Sequence, residues 1–192
     1  MGLPLQHLSL EAFLAWENEQ PDRHEYHRGE YFCMVGGQRG HGRVIANLMR
    51  HLGNHFDASP CQAFSENMKV QVGTDSILYP DVFVTCDKHF SATQTVFTAP
   101  VVVIEVLSPS TQGYDRSAKF AIYRRLASLR EYALIDPDTR RVEVFRPQAD
   151  GNWTLFDMTD MTELGAIRLE CVDFELSLEK LFQGMDSVPE AQ

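Results

Sequence analysis

Closely spaced cysteine pairs, long apolar runs and a surplus of basic charge are all missing from this 192-residue chain. Its four cysteines, Cys33, Cys61, Cys86 and Cys171, are scattered without a Cys-x-x-Cys motif, so all four are expected as free thiols in a reducing, cytoplasmic setting. The opening residues carry no basic stretch leading into an apolar core, so no secretory leader is expected. No apolar run nears the roughly 20 residues a helix needs to cross a bilayer, and no membrane span is expected. The net charge of −10 argues against a protein that coats nucleic acid nonspecifically, because that affinity comes from neutralising many phosphates. A local positive face is still compatible with the sequence. Arg116, Lys119, Arg124, Arg125, Arg130, Arg140, Arg141 and Arg146 crowd into one short stretch, where a solvated helix face is the plainer reading. There are no repeats, linkers or low-complexity segments either. The length suits one domain over residues 1–184, burying roughly 70% of its unfolded surface, with a disordered tail over 185–192.

What is present reads as an α/β chain. Ser9 is a good N-cap for a short helix with Leu10, Phe13 and Leu14 at helical spacing, ending before Pro21. Residues 24–34 read as a hairpin turned at Arg28-Gly29. Val44, Ile45, Leu48, Leu52 and Phe56 form the apolar stripe of a helix over 41–56. The runs 68–72, 78–85 and 101–107 are expected as central strands of one sheet. A helix over 115–126, capped by Asp115, followed by a strand over 131–136, predicts a parallel pair between 101–107 and 131–136. Residues 141–146 and 153–158 are expected as edge strands and 177–182 as a closing helix.

Two of these apolar runs each contain one carboxylate: Asp81 after Tyr79-Pro80, and Glu105 within Val-Val-Val-Ile-Glu-Val-Leu. Burying an ionised carboxylate costs several kcal/mol unless a cation, a shared proton or a metal compensates. Lys119, fourteen residues beyond Glu105, supplies a candidate cation. Asp, Glu and Lys at one sheet edge can hold a divalent ion and polarise a water beside a phosphodiester. Taken singly, Asp81 reads equally well as a strand-end turn residue, Glu105 as a salt-bridge partner of an arginine such as Arg124, and Lys119 as a solvated helix lysine.

The order Tyr-Pro-Asp81-Val-x-Val, Ala-Pro-x-x-x-Ile-Glu105-Val-Leu-Ser-Pro-Ser-Thr, Asp115-x-x-x-Lys119-x-x-x-Tyr123 and Glu131-Tyr-x-Leu-Ile-Asp-Pro resembles the Uma2 family. Upstream, His24-Glu25-Tyr26-x-x-Gly29-Glu30, Met34 and His41 extend the resemblance over nearly the whole chain. It implies a restriction-endonuclease-like PD-(D/E)XK core: a mixed sheet with flanking helices, preceded here by a helix and a hairpin. It further implies a Mg²⁺ or Mn²⁺ ion held by Asp81, Glu105 and a backbone carbonyl near Val106. The motif's lysine, expected two residues after Glu105, is Leu107 here, and Lys119 fits a migrated position with Tyr123 one turn on to orient it. Glu25 or His41 would complete the site. The implied activity is metal-dependent hydrolysis of DNA, in a homodimer where two sites cut a duplex. The alternative is a nuclease-like protein that binds nucleic acid or regulates without cleaving.

Other chemistry-bearing residues read as structural. His51 and His55 stand one turn apart but lack the glutamate base of a zinc hydrolase, and Ser108 lacks the Gly-x-Ser-x-Gly turn of a hydrolase nucleophile, so it is expected to shape the loop after Glu105. His24 and His27 are expected to face solvent. Phe13, Trp16, Phe56, Phe83, Phe120 and Trp153 are spaced as core residues rather than as a base-stacking platform.

Overall fold

The computed structural model describes residues 8–34, 36–87, 91–159 and 165–185. Helix α1 (Leu10–Glu17) starts where Ser9 Oγ accepts the Ala12 N–H, and it buries Phe13. Strands β1 (His24–His27) and β2 (Glu30–Cys33) form the expected hairpin, with Arg28 at φ 50° and Gly29 at φ 94° as its two turn residues. The hairpin histidines turn inward instead of facing solvent. His24 Nδ1 lies 3.0 Å from Glu17 Oε2, and His27 Nδ1 lies 2.8 Å from Ser76 Oγ, and both partners are buried polar groups, which require hydrogen bonds. Helix α2 (Arg39–Phe56) buries the whole predicted stripe.

The chain builds two large sheets where the apolar runs suggested one. In the first, β1 and β2 join β5 (Ser76–Leu78), β4 (Lys69–Val72) and β7 (Val96–Phe97), in the order β2-β1-β5-β4-β7. The second contains β3 (Gln62–Ser65), β6 (Val82–Thr85), β8 (Pro100–Val106), β9 (Glu131–Asp136), β10 (Arg141–Pro147) and β11 (Trp153–Asp157), in the order β11-β10-β9-β8-β6-β3. The run 78–85 therefore breaks at Tyr79-Pro80-Asp81. Proline has no N–H for a ladder, and there the chain leaves one sheet and enters the other. The β8–β9 pair is parallel as expected. Strand β10 lies between β9 and β11, so of the two expected edge strands only β11 is one.

Side-chain alternation along β8 sets the layers. Val102, Ile104 and Val106 pack under α2, while Val103 and Leu107 face Phe120, Ile122 and Tyr123 on the other side. Glu105 shares the second face by parity. That face is covered by a helical segment running as α3 (Gln112–Tyr114), a π-helical stretch (Asp115–Lys119) and α4 (Phe120–Tyr123). Asp115 lies inside this segment and is not its cap.

The expectation of four free thiols is overturned. Cys61 and Cys86 form a disulfide, with Cα atoms 3.9 Å apart. Gln62 pairs with Thr85 in the antiparallel β3–β6 ladder, so the two cysteines are the next opposed pair, a register that a sequence separation of 25 does not disclose. The inference of a reducing compartment loses its basis with it. Cys33 and Cys171 are free. A third, unanticipated sheet of two strands, β12 (Ala166–Leu169) with β13 (Phe174–Ser177), leads into α5 (Leu178–Leu181). Asn47 on α2 holds that end, its Nδ2 donating to Leu181 O at 2.9 Å and Gln183 O at 3.0 Å. Apart from Met185, the expected disordered tail lies outside the described residues. Among the described residues no helix is long and apolar enough to cross a membrane.

Candidate active site

The β6–β8 ladder ends at Val82 opposite Ile104, so Asp81 and Glu105 are the pair at which the two strands part. Asp81 is anchored there: its Oδ2 accepts the Val106 N–H at 2.7 Å and lies 3.2 Å from His41 Nε2. Val106 thus engages Asp81 through its N–H, and coordination through its carbonyl stays an expectation. The Asp81 N–H points to Glu105 Oε2 at 3.5 Å. On the opposite side, the Asp81 carbonyl accepts the Glu66 N–H at 3.3 Å.

Glu105 is 1% exposed and is paired with Lys119, not with Arg124. Nor is Lys119 a solvated helix lysine. It is buried, with Nζ 3.0 Å from Glu25 Oε1, 3.0 Å from Glu105 Oε1 and 3.8 Å from Asp115 Oδ1, and it donates to the Tyr79 carbonyl at 3.4 Å. The Glu105 contact is an ion pair without hydrogen-bond alignment, which leaves Oε1 buried and unbonded. Glu25, on β1, also accepts the Tyr79 N–H at 3.1 Å, and the Tyr79 hydroxyl donates to Glu17 at 2.8 Å. A buried polar chain therefore runs from α1 through the sheet crossing to Lys119. Tyr123 does not orient Lys119 through its hydroxyl, which is buried and makes no hydrogen bond. Ser108 shapes its loop as expected, its carbonyl accepting the Thr111 and Gln112 N–H groups.

Three carboxylates, Glu25, Glu105 and Asp115, thus surround one ammonium, and Asp81 stands beside Glu105. Burial raises the pKa of Glu105 well above the ordinary value; Lys119 opposes the shift, and Asp81, Asp115 and Glu25 add to it. Asp115 is raised as well, first by burial. Burial works against the Lys119 ammonium, but Glu105 and Glu25 outweigh it and lift its pKa, so it stays protonated. For His41, burial is again the opposing influence, and the bond to Asp81 with its charge outweighs it, so the imidazole pKa rises.

Sequence reading missed Glu66 and Gly37. Ser65 pairs with Val82, so Glu66 emerges beside Asp81 in the turn after β3, and ligand atoms of His41, Glu66 and Asp81 all lie within 4.8 Å of one another. Only the strand register, invisible in the sequence, brings it there. A Cβ at Gly37 would stand 2.5 Å from His41 Nδ1, so glycine is what lets the ring lie where it does. These residues face a cleft of about 550 Å³ whose wall also includes Phe32 and Arg23. The donor set fits a divalent cation: carboxylate oxygens in excess over positive charge, an imidazole among them, and a buried carboxylate oxygen without a hydrogen bond.

Other expectations resolve differently. His55 bonds the Val172 carbonyl and His51 lies beside Arg50, so neither joins a metal-ligating group among the described residues. At least five of the eight clustered basic residues are engaged by carboxylates: Lys119 by Glu25 and Glu105, Arg116 by Glu143, Arg125 by Asp75, Arg141 by Asp157 and Arg146 by Glu131. Arg124 is exposed and lies over the Phe120 ring.

A family model named Uma2, described as "Putative restriction endonuclease", matches residues 10–179. Two uncharacterized proteins of Synechocystis sp. are similar to the chain. One is 35% identical over 86% of this chain and 89% of its own length, the other 31% identical over 79% and 87%. Among solved structures, a "putative nuclease belonging to DUF820" from Anabaena variabilis superposes with a TM-score of 0.72, at 24% identity, over 91% of this chain and 97% of its own. That likeness establishes the restriction-endonuclease-like fold.

Proposed function

The chain belongs to the Uma2 family, and from that membership and the cleft at the β6–β8 fork we propose a metal-dependent nuclease that hydrolyses phosphodiester bonds of DNA. The observation that carries the reading is the convergence of Asp81, Glu105 and Lys119, from two strands and a helical segment, where the strands part. Asp81, Glu105 and the Val106 carbonyl would hold a Mg²⁺ or Mn²⁺ ion. When bound, such an ion acidifies an attacking water and neutralises a phosphate oxygen.

The protein's own groups have separate tasks. Lys119, protonated and fixed between Glu25 and Glu105, presents an ammonium that orients the water and stabilises charge developing on phosphate. Glu25 acts on Lys119, holding the ammonium while taking the Tyr79 N–H. His41 holds the Asp81 carboxylate toward the cleft. A homodimer presenting two clefts to one duplex belongs to the same proposal, and light scattering on the purified protein tests it.

Calorimetric Mn²⁺ titration of the wild type, Asp81→Asn and Glu105→Gln is the decisive test, followed by single-turnover cleavage of duplex DNA with Lys119→Ala as the chemistry control. Binding lost in both carboxylate variants, with cleavage lost in Lys119→Ala, is the expected result. A folded wild type that binds no divalent ion, with or without DNA, overturns the reading. Ion binding without cleavage of any nucleic acid would favour the non-cleaving alternative.

A further inference from the structure

We propose that the ion site is completed by His41 and Glu66 beside Asp81, giving a mixed nitrogen and oxygen donor set that selects Mn²⁺ over Mg²⁺. The inference rests on the divalent-ion reading above and deepens it by assigning ligands and metal class. The three side chains come from three separate parts of the fold: the first turn of α2, the turn after β3 and the crossing before β6. Their ligand atoms nevertheless lie within 4.8 Å of one another.

Each is positioned by something other than its neighbours in the cluster's charge. The ring of His41 lies against Gly37 on its Nδ1 side, which leaves Nε2 as the atom directed at Asp81. Glu66 sits at φ 35°, a left-handed conformation that a glutamate rarely adopts, and its N–H is tied to the Asp81 carbonyl. Asp81 is locked by the Val106 N–H.

A simple His41–Asp81 ion pair would have no need of a third member. Glu66 is exposed, and its carboxylate makes no hydrogen bond or ion pair among the described residues, yet its backbone is held in a strained conformation that brings it to this pair. On the same cleft wall, Glu105 Oε1 is buried and, although 3.0 Å from the Lys119 ammonium, makes no hydrogen bond, so its acceptor capacity is unspent. A first-row transition ion accepts an imidazole nitrogen more readily than Mg²⁺, which takes oxygen donors and gives up its water reluctantly, and among those ions Mn²⁺ is the one also suited to carboxylates.

The test is calorimetry with Mn²⁺ and Mg²⁺, plus pulsed electron paramagnetic resonance of the Mn²⁺-loaded full chain, on the wild type, His41→Gln and Glu66→Gln, with thermal melts to verify folding. The wild type should bind Mn²⁺ at least tenfold more tightly than Mg²⁺ and show ¹⁴N coupling to the ion. His41→Gln should abolish the coupling and bring the two affinities within about threefold. Glu66→Gln should weaken Mn²⁺ binding about tenfold and keep the coupling. If His41→Gln does not fold, the wild-type spectrum and the exposed Glu66 variant still decide. Mn²⁺ bound without nitrogen coupling, or a preference that survives His41→Gln, overturns the assignment while leaving a divalent site intact. Absence of any bound ion would instead remove the underlying reading.

Discussion

Glu105 and Lys119 are an ion pair whose two halves have opposite effects on the fold. The Glu105 pKa is raised, so its contribution to stability is fully present below the ordinary carboxylate value of 4.5 and is lost as pH rises through the higher folded value. Glu105→Gln should therefore make the metal-free protein more stable, by about 2–4 °C in Tm, with the gain growing from pH 4.5 toward neutrality. Melts across that pH range check the sign, and a gain confined to acidic pH would contradict it. Lys119→Ala should do the reverse, leaving Glu25, Glu105 and Asp115 buried around no cation, at a cost of about 3–5 kcal/mol in urea unfolding. Residue types and spacing made Asp81, Glu105 and Lys119 legible as a set, since charges inside apolar runs need an explanation. Glu66 and Gly37 had no such signal: an exposed turn glutamate and a loop glycine look ordinary until the turn after β3 is set beside Asp81.

Among the elements, the β3–β6 pair does two jobs. One end carries Glu66 and Asp81 into the cleft, and the other is closed by the Cys61–Cys86 disulfide. Closing a loop with a separation of 25 residues stabilises the fold by about 3.5 kcal/mol through the unfolded chain. Reduction, or paired Cys61→Ser and Cys86→Ser substitution, should lower stability by that order. Alkylation before reduction should mark Cys33 and Cys171 alone, and four labelled thiols in the unreduced protein would refute the bridge. The helical segment over the site is equally specific. Its π-helical stretch brings Asp115 and Lys119 together on the buried face, where a capped α-helix starting at Asp115 was expected.

At the scale of the whole molecule, charge limits what the cleft can accept. The net charge is −10, and the basic residues crowded into one stretch are largely spent on internal carboxylates. Six carboxylates line the cleft, Asp22, Glu25, Glu66, Asp81, Glu105 and Asp115, against Arg23 and Lys119. A polyanion should enter only with a cation in place. Duplex DNA affinity, measured by fluorescence anisotropy at fixed ionic strength, should be at least tenfold weaker in EDTA than with added Ca²⁺. Equal affinity in the two would indicate a binding surface away from this cleft. We propose that residues 1–184 fold as one unit, and a single calorimetric unfolding transition is the outcome expected.

By itself the sequence determined the start of α1, the first hairpin, the parallel β8–β9 pair and the identity of the central carboxylates. Each of these follows from local signals: a cap, a turn residue, an apolar period, a charge in an apolar run. The tertiary structure alone decided that the apolar runs serve two sheets, that Cys61 meets Cys86, that β10 is internal, and that His41 and Glu66 join Asp81. Those outcomes depend on strand register and on which faces meet across the fold, and neither leaves a mark on residues close together in the chain.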